Sequence, residues 1–123
     1  MIKIPTSNDI SIEIDGRRLA VAQSYRAKTS RDSKYVEAFG AKEPVATVGG
    51  RVKHLLELSR VMAAAGDGVD FHGATGFNVV IVRPDRKIVY SGCEWSAIDE
   101  VANLGNVVLE SVSIVAAKRM EIL

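Results

Sequence analysis

The last third of the chain, residues 76–123, constrains the fold most, because it consists of extended apolar runs joined by turns. These runs cover residues 77–82, 87–95 and 107–117, with a polar turn at residues 83–86. Several positions are apolar on both parities of a strand, so both faces of a sheet would carry apolar side chains. Water solvates neither face well. We therefore expect something to cover the second face, and in a chain this small a second copy of itself is the expected partner.

Length and composition are those of an ordinary globular protein. The 123 residues predict one domain over residues 1–123, beginning with a short N-terminal arm at residues 1–8. A net charge of +1 argues against a dedicated nucleic-acid-binding protein, whose surface would be clearly basic. The single cysteine, Cys93, cannot form an internal disulfide, which favours a reducing compartment. No signal peptide is expected, and no apolar run reaches the roughly 20 residues of a membrane-spanning helix.

The N-terminal part of the chain predicts a β-hairpin. Isoleucines at positions 10, 12 and 14 alternate with polar residues, which is typical of a strand with one buried face. The dipeptide Asp15-Gly16 follows, and it suits the positive φ angles of a two-residue hairpin turn. Such a turn places Ile12 opposite Leu19, so the turn and the apolar pattern predict the same register.

The middle of the chain is less decisive. Residues 51–65 fit both a strand and a helix; local propensity favours the helix, and the β-rich surroundings favour the strand. Residues 96–100 are interpreted as a polar break and residues 103–106 as a turn. The whole pattern predicts a mainly β fold of six or seven antiparallel strands. We expect a barrel or sandwich with at most one short helix and a long interaction loop.

The long loop is predicted at residues 28–44, where charged and small residues show no apolar periodicity. Its large apolar side chains either pack back on the core of the chain or dock on a neighbouring subunit, since clustered exposed apolar groups mark interaction surfaces. The candidate subunit interface therefore combines three apolar and two basic residues: Tyr35, Val36, Phe39, Lys34 and Arg31.

No combination of residues predicts catalysis, a cofactor site or a metal site. His54 and His72 are the only histidines, and serines and aspartates are too common for their presence to indicate a catalytic triad. Asp67, Asp70 and His72 are close in sequence, but their spacing matches neither a calcium loop nor a zinc site. Cys93 lies in an apolar strand, where a free thiol behaves as a small apolar group.

The pair Gly49-Gly50, followed by Arg51 and Lys53, invites comparison with a phosphate-binding loop. Such a loop has Ser or Thr after its Lys, whereas His54 follows here, so the motif fails. The glycine pair is interpreted as a bulge or bend in a sheet. Basic residues near the predicted turns alternate with acidic ones, which indicates a mixed, solvated surface.

The order of the elements carries a family resemblance. It comprises the N-terminal arm, a hairpin turning at Asp15-Gly16, the long loop, a strand entering at residues 49–51 and the closing segments 77–95 and 107–119. Together with the opening run Ile-Glu-Ile-Asp-Gly-Arg-Arg-Leu-Ala at residues 12–20, this order resembles the tail tube proteins of contractile-tailed phages and phage-like particles. Such proteins often carry a helix outside the barrel, for which only residues 51–65 or 96–102 are available here.

The resemblance implies a structural virion protein, not an enzyme, that assembles into hexameric rings stacked into a tube. DNA would pass through the lumen without specific binding, and the partners would be other copies of the chain, the tail sheath and the baseplate, with no membrane. The location would be the virion tail, assembled in the cytoplasm of the bacterial host. The loop at residues 28–44 would make the stacking contact.

Other functions stay open at this point. A ring that initiates the tube or terminates the tail fits the same layout as the main tube protein. A small-molecule-binding β-barrel, with a pocket lined by inward-facing Val, Ile and Tyr side chains, is the alternative function. A small enzyme of unrecognised type is a third.

Overall fold

Eight β-strands make up the regular structure of the described chain. The computed structural model describes residues 10–19, 22–61 and 69–123. The strands are β1 Ser11–Ile14, β2 Arg17–Arg18, β3 Ala22–Val36, β4 Ala46–Val61, β5 Phe77–Val82, β6 Lys87–Val101, β7 Leu109–Ala116 and β8 Lys118–Ile122. Within the described ranges there is no helix that is both long and apolar enough to cross a membrane.

Strands β1 and β2 form the hairpin predicted from the sequence. Asp15 and Gly16 have φ angles of 49° and 82°, and positive values at both positions are what a two-residue turn of this type requires. The backbone N–H of Leu19 donates to the carbonyl of Ile12 at 2.7 Å, which confirms the predicted register. The turn is also fixed to β5, because the N–H of Asn78 donates to Oδ1 of Asp15 at 2.9 Å.

Neighbouring strands are antiparallel and follow the order β2–β1–β5–β6–β7–β4–β3, with β8 also paired to β6. The path does not close on itself, so the arrangement is sandwich-like, and within the described ranges β2, β3 and β8 each have one edge that pairs with no other strand. The predicted mainly β, antiparallel fold is confirmed, and no helix occurs in the described ranges. The strand interpretation of residues 51–65 is confirmed as far as Val61; residues 62–65 lie outside the described ranges.

The long strand β6 connects two parts of the sheet. Residues 87–91 pair with β8, and β5 pairs on the other side of this segment, whereas the part from Glu94 onwards pairs with β7. Between the two parts lies Gly92, with a φ of 62°, and the N–H of Ala117 donates to the carbonyl of Ser91 beside it at 3.0 Å. The predicted polar break at residues 96–100 is wrong, because the backbone there pairs with β7 and Ile98 packs against the core.

Alternate positions of five strands supply the core. Its buried apolar side chains come from β1, β4, β5, β6 and β7, joined by Leu19 and Phe71: Ile12, Ile14, Leu19, Leu56, Leu58, Phe71, Phe77, Val79, Ile81, Ile88, Tyr90, Cys93, Val112 and Ile114. Burying one Val, Leu, Ile or Phe side chain contributes about 1.5–3 kcal/mol. The core therefore lies on one face of the strands, and the other face points away from it.

A buried ion pair adjoins this core. Arg60 on β4 and Glu110 on β7 are cross-strand neighbours, and Nε of Arg60 donates to Oε1 of Glu110 at 2.9 Å. Arg60 also donates to the carbonyl of Val69 at 2.9 Å, and its guanidinium carbon lies 5.0 Å from the centre of the Phe71 ring. These contacts tie the segment before β5 to the sheet.

The long loop predicted at residues 28–44 is shorter than expected. Strand β3 continues to Val36 and pairs with β4 as far as Ala46, which leaves a connection at residues 37–45. Residues 28–36 lack an apolar pattern, but ladder hydrogen bonds join backbone groups and do not need one. The predicted turn at residues 103–106 is confirmed, since the N–H of Asn106 donates to the carbonyl of Asn103 at 3.0 Å. The predicted arm at residues 1–8 lies outside the described ranges.

Candidate functional site

The far part of the β3–β4 hairpin projects from the sheet. Strand β4 pairs with β7 only from His54 onwards, where His54 lies opposite Ala116. Before that point, within the described chain, β4 pairs with β3 and with no other strand. Every residue from 31 to 53 is exposed. Residues 31–53 are called the projecting hairpin below.

All five candidate interface residues lie on the projecting hairpin. Tyr35 and Phe39 are 72% and 110% exposed, and Val36 is 41% exposed. Packing of these side chains on the core of their own chain is therefore ruled out. Lys34 and Arg31 are exposed on the same hairpin, where Nε of Arg31 donates to Oγ of Ser33 at 3.5 Å. Contact of these residues with a neighbouring subunit stays a prediction.

A β-bulge shapes the base of the projecting hairpin. The register between β3 and β4 shifts between Arg31 and Ser33, where Asp32 faces the glycine pair. A Cβ atom on Gly50 would overlap the backbone carbonyl of Asp32, and one on Gly49 would lie 2.5 Å from Nη2 of Arg31. The two strands approach closely here because glycine has no side chain. The interpretation of Gly49-Gly50 as a bulge is confirmed.

A second exposed apolar surface lies on the outer face of β5, β6 and β8. Val80 lies opposite Val89, and Val89 lies opposite Met120, so the three side chains share one face. Ile122, two residues after Met120, points the same way. Met120 and Ile122 are exposed, and the two valines are half-buried. This row is part of the second apolar face that the sequence predicts.

On the opposite face of β8 from this apolar row, and in the turn before β6, charged residues form ion pairs. Arg86 and Arg119 both donate to Glu121, at 3.1 and 2.8 Å, and Arg86 also donates to Asp85 at 2.9 Å. The hydrogen bond from Arg119 and the positive charges of both arginines hold the pKa of Glu121 below its usual value. The prediction of a mixed, solvated surface near these turns is confirmed.

The two histidines and the cysteine contact other side chains of the sheet and do not form a cluster with one another. Nδ1 of His54 lies 3.1 Å from Oγ1 of Thr29, and the ring of His72 packs edge-on against Trp95 with centroids 6.1 Å apart. Cys93 is fully buried, and this burial raises the pKa of its thiol to about 11, so the reactive thiolate is disfavoured. No group of three potential metal-ligating residues occurs in the described part of the chain. Asp67, a residue of the rejected metal motif, lies outside that part.

A cleft of about 300 Å³ opens between β1 and β3. Its lining includes Ile12, Leu19 and Tyr25 together with the polar residues Arg18 and Gln23. The cleft lies where the sheet fails to close, so it is a gap between two edges that is open to solvent. This cleft is one place where a small ligand of the alternative function would bind.

Two exposed acidic residues, Asp99 and Glu100, are not among the site residues predicted from the sequence. Both were assigned to a polar break, whereas the structure places them on β6 close to its turn into β7. A signal was present in the sequence, because no Lys or Arg occurs between residues 88 and 117. A segment of that length with acidic residues only indicates a surface of one sign.

Comparison with solved structures identifies the fold. The chain is similar to the sheath/tube terminator of an extracellular contractile injection system, with a TM-score of 0.77, 7% identity and 100% of both chains covered. It is similar to the tail of an empty gene transfer agent particle refined with C6 symmetry, with a TM-score of 0.74, 13% identity and coverage of 96% of this chain and 98% of that one.

A further similar structure is the tube-terminating cap of the anti-feeding prophage, with a TM-score of 0.74, 7% identity and coverage of 98% of this chain and 93% of that one. Neither the models of known protein families nor the curated protein sequences give a match. The chain has a tail tube-like fold, as the family resemblance predicts.

Proposed function

We propose that this chain is a structural protein that assembles into hexameric rings, and that the rings stack into the tube of a phage or phage-like tail. The observation that carries the proposal is the projecting hairpin, which is exposed from residue 31 to residue 53 and bears Tyr35 and Phe39. The tail tube-like fold supports the same conclusion. The site needs no catalytic group, because its task is contact between subunits.

The physics of the hairpin favours a partner. An isolated two-stranded hairpin is marginally stable in water, and its outer edges expose unpaired backbone N–H and C=O groups. Packing against neighbouring subunits covers the edges and the aromatic side chains together. Aromatic residues contribute disproportionately to protein interfaces, which favours Tyr35 and Phe39 as the main contacts and leaves Val36, Lys34 and Arg31 beside them.

Ring formation uses the other exposed features. A ring closed by rotation brings two different surfaces of successive copies together, and the free edges of β3 and β8 are two such surfaces. The apolar row of Val80, Val89 and Met120 is the face that neighbouring molecules cover. Six-fold symmetry is proposed because a similar gene transfer agent tail has C6 symmetry and a similar baseplate structure is six-fold symmetrised.

The partners follow from assembly in a tail. Other copies of the chain are the first partner, and the tail sheath and baseplate proteins are the others, in line with the similar sheath-tube and baseplate structures. DNA passes through the lumen without specific binding, which is compatible with a net charge of +1 because tight phosphate binding needs a strong basic excess. The protein would be assembled in the host cytoplasm, would lie in the virion tail and would not contact a membrane.

The test is the substitution Phe39→Ala. Phe39 is fully exposed, so the stability of the monomer should change by less than about 0.5 kcal/mol. Loss of an interface aromatic costs about 2 kcal/mol, so assembly should weaken about thirtyfold for each contact. Sedimentation velocity measures the assembled fraction, and thermal unfolding measures the monomer.

Leu123→Ala is the matched control, since Leu123 is 96% exposed outside the hairpin. We expect it to assemble like the wild type. Unchanged assembly of Phe39→Ala would contradict the proposed contact, and loss of folding in that variant would place Phe39 in a core.

A further inference from the structure

The layer formed by β4, β7 and β6 has two distinct ends. Strands β4 and β7 pair from His54 opposite Ala116 to Val61 opposite Leu109. The projecting hairpin extends beyond His54, whereas the turn that joins β6 and β7, residues 102–108, lies beyond Leu109. The hairpin and this turn therefore lie at opposite ends of the layer.

The hairpin end is basic. The projecting hairpin, residues 31–53, contains five Lys or Arg residues and three Asp or Glu residues. All of these charged side chains are exposed. Two of them, Lys53 and Asp32, form an ion pair at 3.9 Å. The basic set is Arg31, Lys34, Lys42, Arg51 and Lys53.

The opposite end is acidic. Residues 88–117 contain four Asp or Glu residues and no Lys or Arg. Glu110 is neutralised by Arg60, and the carboxylate of Glu94 accepts hydrogen bonds from Oγ1 of Thr75 at 2.8 Å and from the N–H of Gly76 at 3.0 Å. Asp99 and Glu100 are exposed near the C-terminal end of β6, just before the turn into β7. We call these two residues, with the turn at residues 102–108, the acidic end.

Apolar side chains accompany the charges at both ends. Tyr35 and Phe39 are exposed on the hairpin, and Val101, Leu104 and Val107 are exposed at the acidic end. Each end thus combines a protruding apolar group with charges, and the signs of the charges are opposite. Such a pair of surfaces is complementary to each other and not to itself.

We propose that the rings stack head to tail, with the projecting hairpin of one copy docked on the acidic end of a copy in the next ring. The inference rests on the proposed function and assigns the partner of the hairpin: a second copy of this chain, approached from its opposite end. Stacking of hairpin against hairpin would bring basic groups together, and like charges in contact suppress that arrangement. Charge thus gives the stack one direction.

Charge reversal tests the pairing of the two ends. Asp99→Lys/Glu100→Lys reverses the acidic end, and Lys34→Glu/Lys42→Glu reverses two exposed positions on the hairpin. Each pair alone should abolish stacks and leave single rings. All four changes in one chain restore opposite signs and should restore the stacks. Negative-stain electron microscopy counts rings and stacks, and circular dichroism confirms that each variant is folded.

A matched control distinguishes the effect of where the charges are reversed from the effect of the change in net charge. Arg17→Glu/Arg18→Glu changes the net charge as much as the hairpin pair does, but at exposed positions of β2, outside both ends and outside the β8 edge and the apolar row. Its stacks should persist. Raising the NaCl concentration from about 50 mM to about 500 mM should shorten wild-type stacks, because salt screens exposed charges.

The outcomes separate this inference from the proposed function. If the wild type forms no rings, the proposed function fails. If rings form and every charge variant stacks, the assignment of the acidic end is overturned. It is also overturned if the quadruple variant does not recover stacks. In both cases the proposed ring assembly is unaffected. Loss of stacks in the control pair would also overturn it.

Discussion

Arg60 and Glu110 are charged residues at positions that the strand pattern assigns to the core. Leu56, Leu58 and Arg60 occupy alternate positions of β4, and Glu110 begins the same alternation on β7. Burying two charges costs several kcal/mol for each ion, and mutual contact with further hydrogen bonds offsets that cost. The carbonyl of Val69, which accepts from Arg60 at 2.9 Å, is one of those further bonds.

Removing one partner of this ion pair should therefore lower the free energy of unfolding substantially. Arg60→Met leaves Glu110 buried without its partner, and we expect a loss of about 3–5 kcal/mol in the free energy of unfolding. Arg60→Met/Glu110→Met removes the isolated charge and should be less destabilised than the single variant. Urea unfolding measures both. Lys53→Ala, which breaks the exposed pair with Asp32, is the control and should cost less than about 1 kcal/mol.

An equal loss in the single and double Arg60 variants would show that packing, not the unpaired charge, accounts for the destabilisation. The core side chains themselves were predictable from period-two alternation, as Ile12 and Ile14 illustrate. The ion pair was not, because its two members are 50 residues apart and become neighbours only when β4 pairs with β7. The sequence signal for such a pair is a basic residue at a core-facing position of one strand and an acidic residue at a core-facing position of another.

At the scale of elements, the bend in β6 at Gly92 joins the part of the sheet that contains β5 and β8 to the part that contains β7. Gly92 has a φ of 62° and an added Cβ would lie 2.9 Å from Cβ of Ala117. Two requirements therefore meet at one residue: a left-handed backbone and the close approach of Ala117 from a later segment of the same chain. The second requirement is absent at Gly76, which has a φ of 57° and open space around the corresponding position.

This contrast gives a matched pair of substitutions. Gly76→Ala should cost about 1–2 kcal/mol for the left-handed backbone alone. Gly92→Ala should cost that amount and a further 1–3 kcal/mol, roughly, for the overlap with Ala117. Chemical denaturation of the two variants measures the difference. Equal stabilities of the two variants would show that β6 and Ala117 move apart easily and that the bend is soft.

Elements with local signals were predicted well, and elements set by distant pairing were not. Asp15-Gly16 fixes its own turn, because both residues have positive φ angles, and the glycine pair at Gly49-Gly50 marks a bulge, because glycine has no side chain to block the approach of β3. Residues 28–36 and 96–100 were assigned to a loop and a break, yet both are strands. Their partners on β4 and β7 supply the hydrogen bonds, and a polar sequence gives no sign of them.

At the scale of the whole molecule, the main features are the exposed projecting hairpin and the opposite charges at the two ends of the layer formed by β4, β7 and β6. The candidate interface residues Tyr35, Val36 and Phe39 were proposed from their apolar character in a polar segment, and the structure places them on a hairpin that projects from the sheet. Their exposure follows from β4 extending past the end of β7. The sequence could not indicate that geometry, because it depends on where the pairing of two distant strands stops.

The central claim is that the chain assembles with itself through this exposed surface. Electron microscopy of the purified wild-type protein at high concentration tests it most directly, with sedimentation velocity across a concentration series on the same sample. The account predicts closed rings of six copies and, as the concentration rises, stacks of rings. A single monomeric species at every concentration, with no rings in the images, would contradict it.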